Sequence, residues 1–369
     1  MKRSTKILAL CALALSVLVF TAAKKNKAVT FHGNPDEKWL IAYIYHPNEL
    51  PDPTYLTHIN YAFGHVNDSF DGVRIEQEEW FAKIAKLKRK YPHLKVILSI
   101  GGWGSGNFSE MAADSLKRLS FAKDCKRIVD KYKIDGIDID WEYPGTSVAK
   151  ISSSPDDVKN YTKMMRDIRA AIGWDKILSH ATDGGGVHID YAEVDQYMSY
   201  TNVMSYDLGG GEYHRSPLYG SERMLQPGSI CQDSCIKAHL KAGIPPEKLV
   251  MGLTFGGVRG ADPTKAHLLE GYTYHWDEEA QEPYLVNDKT GRRMPFVDEK
   301  SAYNKAKYIL SKGLRGAMYW EYKSDTPDGA YRRTVYRALN DTSFFLGTYD
   351  NKRMKAPQRR PRPAAPAQP

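Results

Sequence analysis

The sequence is poor in cysteine, which limits the kinds of site it can build. It has four cysteines in 369 residues, and Cys11 lies in an N-terminal apolar stretch. A metal site at Cys231 and Cys235 is not expected, and no other cofactor is predicted. Cys231 and Cys235 flank a short polar turn and could form a small disulfide. Cys125 instead fits the apolar face of a helix.

Long apolar runs are also scarce, and the clearest one lies at the N-terminus. Residues 1–23 combine three basic residues, an apolar run and a small-residue end at Thr21-Ala22-Ala23, which is typical of a signal peptide. The apolar run is shorter than the roughly 18 residues that a membrane helix needs. We therefore expect a secreted or periplasmic protein without a membrane partner after signal removal, with a membrane anchor as the alternative.

The body of the chain lacks the excess positive charge that the whole sequence suggests. The formal charge is +8, but residues 1–23 contribute +3 and residues 352–369 contribute +6 without any acid, which leaves about −1 for the rest. Nucleic acid is therefore not expected as a partner. Residues 352–369, rich in Pro, Ala and Arg, are predicted to be a disordered tail.

Short apolar runs rich in β-branched and aromatic residues alternate with stretches of helical period. This alternation predicts an α/β fold, a (β/α)8 TIM barrel spanning residues 24–351, with an open doubly wound sheet as the alternative. The polar stretch 257–300, between strands 7 and 8, is predicted to be a small insertion that forms one wall of the barrel mouth and could contain a hairpin. The eight predicted strands are 40–45, 58–64, 95–102, 136–143, 177–184, 201–210, 249–257 and 316–322.

Three carboxyl groups alternate along the fourth predicted strand. In an extended chain Asp138, Asp140 and Glu142 point to one face, while the isoleucines between them point to the other. Carboxyls this close cannot all ionise easily, so one should keep its proton near neutral pH. General-acid cleavage of an acetal needs such a proton. A solvated acidic strand, or carboxylates paired with Lys and Arg, is the alternative.

Polar and aromatic residues follow the ends of several predicted strands. In a barrel these ends converge on one mouth, where the active sites of this architecture lie. The segments concerned are Gly101-Gly102-Trp103, Glu142-Tyr143, Tyr206-Asp207 and Trp320-Glu321.

Four ordered motifs in this chain resemble those of glycoside hydrolase family 18, the chitinases and their relatives. The resemblance extends from about residue 40 to residue 325. The motifs are Ser99-Ile100-Gly101-Gly102-Trp103, the DxxDxDxE pattern of Asp135, Asp138, Asp140 and Glu142, Met204-Ser205-Tyr206-Asp207, and Met318-Tyr319-Trp320.

This resemblance implies retaining hydrolysis in which the substrate's N-acetyl group is the nucleophile. Glu142 would be the acid and base, and Asp140 would orient the acetamido N–H. Asp138 would hold a shared proton, and Tyr206 would donate to the acetamido oxygen. Trp320 would form the floor beneath the sugar. The other residues that it implies for substrate binding are Asp207, Met204, Tyr43, Phe63, Trp103 and Tyr143.

The function that the resemblance implies is a secreted, monomeric, endo-acting chitinase that hydrolyses β-1,4-N-acetylglucosaminide links in chitin or chitooligosaccharides. An endo-β-N-acetylglucosaminidase acting on the chitobiose core of N-glycans is the alternative. A non-catalytic chitin-binding lectin is disfavoured because Glu142 and both aspartates are present. Asp135 has the opposite strand parity, so we expect it to have a structural role.

Overall fold

Eight parallel strands close into a barrel. The computed structural model of the protein describes residues 36–256 and 269–346. Each barrel strand pairs with its neighbours, and the first pairs with both the second and the last, which closes the ring. The (β/α)8 fold predicted from the sequence is thereby confirmed. The barrel strands are β1 (Trp39–Tyr45), β2 (His58–Val66), β4 (Lys95–Gly101), β5 (Gly136–Asp140), β6 (Ile177–Asp183), β7 (Tyr200–Met204), β8 (Leu249–Leu253) and β12 (Gly316–Tyr319).

Helices lie between the strands. The longest, α3 (Ser115–Tyr132), begins after Asp114, whose side chain accepts hydrogen bonds from the N–H groups of Leu116 and Lys117. This cap satisfies two of the free donors at the helix start. The helices are α1 (Glu78–Ala85), α2 (Phe108–Ala113), α3 (Ser115–Tyr132), α4 (Asp157–Ile172), α5 (Tyr191–Val194), α6 (Gln232–Lys241), α7 (Glu299–Ser311) and α8 (Ala330–Asn340).

The insertion between the last two barrel strands forms a sheet of its own. Its strands β9 (Tyr272–Asp277), β10 (Glu282–Asn287) and β11 (Arg293–Pro295) are antiparallel and precede α7. This agrees with the predicted insertion and with the hairpin that it could contain. A short strand, β3 (Val73–Ile75), pairs antiparallel with β2.

The strands alternate between two apolar layers. Outward-facing side chains such as Ile137 and Ile139 pack under the helices, and Trp141 stacks on Phe108 of α2 with ring centroids 5.2 Å apart. Burial of each isoleucine side chain contributes about 1.5–3 kcal/mol. A second cluster, which includes Ile97 and other inward-facing residues, fills the barrel interior. The fourth barrel strand therefore has the apolar face that the sequence predicts opposite its carboxyl face.

The three cysteines within the described ranges do not form a disulfide. Cys125 is buried in α3, as the helical pattern predicted, and Cys231 and Cys235 are both free. Cys231 lies at the N-cap of α6, where its sulfur meets the Ser234 hydroxyl at 3.5 Å, and Cys235 is buried one helical turn further on. The disulfide considered from the sequence is therefore absent.

Some sequence-based expectations concern segments beyond the described ranges. The predicted signal peptide and the predicted basic tail both lie outside the described residues. Within residues 36–256 and 269–346, no helix has the length and apolar character needed to cross a bilayer. Over the same ranges, no cluster of three or more His, Cys, Asp or Glu side chains is arranged to hold a metal ion.

Candidate active site

Asp138, Asp140 and Glu142, which we call the carboxyl row, lie at the C-terminal end of β5. Asp138 and Asp140 belong to the strand and are almost fully buried, and Glu142 lies two residues beyond its end. The fourth predicted strand therefore ends three residues earlier than expected. Glu142 is partly exposed, so it can reach a molecule bound in the mouth of the barrel.

Asp138 is surrounded by hydrogen-bond donors. The register of the parallel sheet places Ser99 on one neighbouring strand and Ser179 on the other directly beside it. Ser99 and Tyr43 donate to its Oδ2 at 2.8 and 2.9 Å, and Ser179 and Asn202 donate to its Oδ1 at 2.6 and 3.2 Å. Burial raises the pKa of Asp138, and these four donors oppose that rise. The hydrogen bonds therefore favour its ionised form.

Asp140 has a different environment. Its Oδ1 is buried and finds no hydrogen-bond partner among the described residues. Burial raises the pKa of Asp140 well above its usual value, and the neighbouring charges of Glu142 and Asp138 raise it further. Asp140 is thus better suited than Asp138 to carry a proton.

The glycine pair Gly101-Gly102 at the end of β4 allows the chain to approach Asp140 closely. The Gly102 N–H donates to the Asp140 carbonyl oxygen at 2.8 Å. Gly102 has φ of 93°, and a Cβ at this position would lie 2.6 Å from the Phe63 ring. A side chain here would displace the aromatic wall of the site.

Glu142 has the protonation behaviour of a general acid. Burial raises its pKa to about 7, against a smaller opposing effect of a hydrogen bond from Tyr143. A substantial fraction of Glu142 is therefore protonated at neutral pH.

A cavity of about 640 Å³ opens above these carboxyls. Its wall combines aromatic rings with acidic and histidine side chains, and it contains two of the three carboxyls. The lining residues are Tyr45, Phe63, His65, Glu76, Gly101, Gly102, Trp103, Asp140, Glu142, Tyr143, Met204, Tyr206, Asp207 and Trp320.

Trp320 is supported by aromatic residues from the first two strands. Its ring is nearly parallel to that of Phe63, with centroids 5.6 Å apart, and packs against Tyr45 at 5.4 Å and Tyr43 at 6.0 Å. These contacts fix the indole as a flat apolar surface in the cavity. Such a surface suits the CH-rich face of a sugar.

Tyr206 and Asp207 lie just after β7. Burial raises the pKa of Tyr206 well above 10, and the Asp140 and Glu142 charges add to this, so its phenol remains a hydrogen-bond donor. Asp207 is exposed and lies 3.5 Å from Arg215. Behind them, the Gln232 amide donates to the Ser205 carbonyl at 2.9 Å and holds the end of the strand in place.

The comparisons with known proteins agree with this geometry. A family model described as glycosyl hydrolases family 18 matches residues 31–325. The chain belongs to this family.

Curated relatives of this family 18 member include chitinase A1 of Niallia circulans, which is 28% identical over 74% of this chain and 53% of its own length. The probable chitinase 2 of Drosophila melanogaster is also 28% identical, over 74% of this chain and 67% of its own length. The chain thus spans about half the length of the first relative and two thirds of the second.

Solved structures give the same result. A family 18 N-acetylglucosaminidase from Paenibacillus barengoltzii is 31% identical, with a TM-score of 0.74, over 82% of this chain and 100% of that chain. The chitinase domain of the spore coat protein CotE from Clostridium difficile is 32% identical, with a TM-score of 0.59, over 86% of this chain and 94% of that chain.

Most residues selected from the sequence of this family 18 member meet in one place. Asp140, Glu142 and Tyr206 line the cavity with Trp320. The other selected residues that line it are Phe63, Trp103, Tyr143, Met204 and Asp207.

Two selected residues lie beneath the cavity instead. Asp138 is fully buried, and Tyr43, expected to bind substrate, is buried with its hydroxyl on Asp138. The Tyr43 hydroxyl therefore stabilises the Asp138 carboxylate and does not line the cavity.

Asp135 has the structural position expected from its strand parity. Its carboxylate accepts the Val96 N–H at 2.8 Å and pairs with Lys88 at 2.7 Å.

The structure describes only part of the wall predicted for residues 257–300, because residues 257–268 lie outside the described ranges. None of the described residues 269–300 lines the cavity. The turn between β9 and β10 contacts the segment after β7, where the Leu218 N–H donates to the Ala280 carbonyl at 2.9 Å.

The cavity also contains three side chains that the sequence interpretation missed. Tyr45 and His65 lie two residues after Tyr43 and Phe63, on the same faces of β1 and β2, so strand periodicity could have identified them. Glu76 lies 3.5 Å from His65, but it comes from the loop after β3, where no local pattern marks it.

Proposed function

We propose that this family 18 member is a chitinase that hydrolyses β-1,4 links between N-acetylglucosamine units with retention of configuration. The observation that supports this most strongly is the state of Glu142, whose pKa is raised to about 7. Glu142 lines the same cavity as Trp320 and follows the buried carboxyls of Asp138 and Asp140 in the chain. The chitinase relatives support the same substrate class.

Glu142 protonates the glycosidic oxygen as the bond between that oxygen and the anomeric carbon breaks. The carbonyl oxygen of the substrate's own N-acetyl group forms a new bond to the anomeric carbon and gives an oxazolinium ion. Glu142, now a carboxylate, then takes a proton from water, whose oxygen attacks the same carbon and reopens the ring. The two inversions give net retention.

Asp138 and Asp140 share one proton in the free enzyme. The four donors around Asp138 favour its anion, so the proton is held mainly by Asp140. This proposal differs from the expectation that Asp138 holds the shared proton. When the acetamido N–H donates to Asp140, the Asp140 anion is favoured and the proton moves toward Asp138. The charge on Asp140 then stabilises the positive ring of the intermediate.

Tyr206 and Trp320 position the reacting sugar. The Tyr206 phenol donates to the acetamido oxygen and holds it below the anomeric carbon. Trp320 packs against the apolar face of the sugar ring. The exposed Trp103 ring contacts the sugar that leaves.

A second candidate is release of single N-acetylglucosamine units from chain ends. The N-acetylglucosaminidase from Paenibacillus barengoltzii favours it, because this chain covers all of that structure at 31% identity. The same carboxyls and Tyr206 would serve both reactions.

Digestion of chitohexaose and of a high-mannose glycoprotein, followed by mass spectrometry of early products, tests the proposal. We expect chitobiose to chitotetraose from the hexamer and no glycan release. Monosaccharide and pentamer as the first products would instead establish the second candidate. Glycan release with an intact hexamer would show an N-glycan endoglycosidase, and no cleavage of either would refute both proposals.

We also propose that the protein is exported, which the signal-like pattern of residues 1–23 supports. Assay of culture medium and cell fractions checks this, and activity confined to the cytoplasm would contradict it.

A further inference from the structure

A second set of aromatic rings continues outward from Glu142. The Tyr143 ring stacks on the His188 imidazole, with centroids 5.0 Å apart and planes 9° apart. It also meets the Trp103 ring edge-on at 6.4 Å. Trp103 is 63% exposed, and Tyr143 and His188 are partly exposed. We refer to Trp103, Tyr143 and His188 as the outer row.

The outer row and the Trp320 cluster occupy different sectors of the barrel mouth. The outer row follows β4, β5 and β6, whereas Trp320 follows β12 and packs on Tyr45 and Phe63 of β1 and β2. The barrel order β12, β1, β2, β4, β5, β6 places the two sets side by side around the mouth. A chain of sugars that leaves Trp320 past Glu142 therefore meets the outer row.

The loop that carries His188 is held at both ends. Asp183 accepts the Gly186 N–H at its carbonyl and the Val187 N–H at its side chain, at 3.2 and 3.3 Å. At the other end the Asp190 side chain accepts the Glu193 N–H at the start of α5. These hydrogen bonds order the loop on both sides of His188, which lowers the entropy lost on binding.

The position of Glu142 indicates which part of the substrate the outer row contacts. Glu142 gives its proton to the oxygen of the leaving sugar, and Tyr143 is the next residue in the chain. Trp320 holds the sugar whose anomeric carbon reacts. Sugars over the outer row therefore belong to the leaving part of the substrate, first at Trp103 and then along Tyr143 and His188.

We infer that His188, stacked on Tyr143, binds an N-acetylglucosamine unit of the leaving chain beyond the first. This inference rests on the proposed function and deepens it, because it makes His188 a determinant of chain-length preference. The flat imidazole extends the apolar surface of Tyr143, and its ring nitrogens can hydrogen-bond to sugar hydroxyls.

The test compares two substrates in purified full-length variants. Chitohexaose places several sugars on the leaving side, whereas an aryl glycoside of chitobiose places only one ring there. We expect H188A to lower kcat/KM on chitohexaose about three- to tenfold and to leave the aryl glycoside within about twofold. H188F, which keeps a flat ring, should retain most of the hexamer activity.

H93A is the matched control. His93 is exposed and precedes β4, at the end of the barrel opposite the mouth. Its substitution should therefore leave kcat/KM unchanged on both substrates. Equal losses of H188A on both substrates, or an unchanged rate on the hexamer, would overturn the inference. If the wild-type protein cleaves neither substrate, the proposed function itself fails, which is a different outcome.

Discussion

The Ser179 hydroxyl donates a hydrogen bond of 2.6 Å to Asp138, the innermost carboxylate of the site. Ser99 donates to the other oxygen from the opposite neighbouring strand at 2.8 Å. Both serines are fully buried. A hydrogen bond to a charged group contributes about 1.5–3 kcal/mol, so each serine lowers the energy of the ionised form.

Substitution of Ser179 by alanine should therefore raise the pKa of Asp138 still further. Activity needs one anion in the Asp138 and Asp140 pair, so we expect the acid limb of kcat/KM to move to higher pH by about one unit. S109A is the matched control because Ser109 donates to buried Asp157 at 2.7 Å, away from the site. Both variants should lose thermal stability. An acid limb that moves equally in both, or in neither, would contradict the assignment.

Glu142→Gln should remove the acid and base while it keeps the shape of the cavity. We expect kcat on chitohexaose to fall by about 10²–10⁴-fold, the usual contribution of general acid–base catalysis. Binding of the intact hexamer, measured by calorimetry, should persist. E79Q, at an exposed position in α1, should behave as the wild type. Near-normal turnover by E142Q would refute the role of Glu142.

The alkaline limb of the pH profile follows from the raised pKa of Glu142. Because the acid must be protonated, activity is present below its pKa of about 7 and is lost as the pH rises through that value. We expect kcat/KM on chitohexaose to fall about tenfold per pH unit above this point. An aryl glycoside, whose leaving group needs less protonation, should fall less steeply. A flat profile on both substrates from about pH 6 to about pH 9 would contradict this prediction.

The barrel could be predicted from the sequence because strand and helix periods alternate clearly, but several strand ends were placed too late. The predicted strands reached Tyr143, Gly210 and Tyr322, whereas β5, β7 and β12 end at Asp140, Met204 and Tyr319. The apolar and polar alternation continues into the loops that follow. Strand pairing ends where the chain turns to present side chains to the cavity, and local periodicity does not record that point.

The carboxyl row and Trp320 could be predicted because they belong to local motifs. Glu76 could not, because its position depends on a non-local contact in which its N–H donates to the Phe63 carbonyl at 2.9 Å. The sequence also does not show where the inserted sheet packs, because its turn between β9 and β10 makes a non-local contact in which the Leu218 N–H donates to the Ala280 carbonyl.

Gly102→Ala should lower kcat/KM more than a glycine-to-alanine substitution that causes a similar backbone strain away from the site. Its φ of 93° costs a side chain about 1–2 kcal/mol. The new methyl group would also lie 2.6 Å from the Phe63 ring and displace it from Trp320. G243A is the matched control, with φ of 99° and no heavy atom of the described chain within 4 Å of the new Cβ. Both variants should melt earlier, but only G102A should lose kcat/KM. Equal kinetic losses would show that strain alone is responsible.

A buried ion pair between Lys305 of α7 and Glu282 of β10 joins the inserted sheet to the barrel helices. Both side chains are at most 2% exposed, and Ser216 lies 3.1 Å from the ammonium group. Lys305→Met would leave the Glu282 charge buried without its partner, so we expect a loss of about 3–5 kcal/mol in the free energy of unfolding.

Joint replacement of Lys305 and Glu282 by Met and Leu should recover most of the stability lost in K305M, because a well-packed apolar pair avoids the desolvation penalty. The exposed pair of Lys126 and Asp130 is the control, and K126M should change stability by less than about 1 kcal/mol. Since no described residue of the inserted sheet lines the cavity, kcat/KM of the folded K305M protein should be unchanged. A kinetic loss without a stability loss would mean that the insertion acts on the site directly.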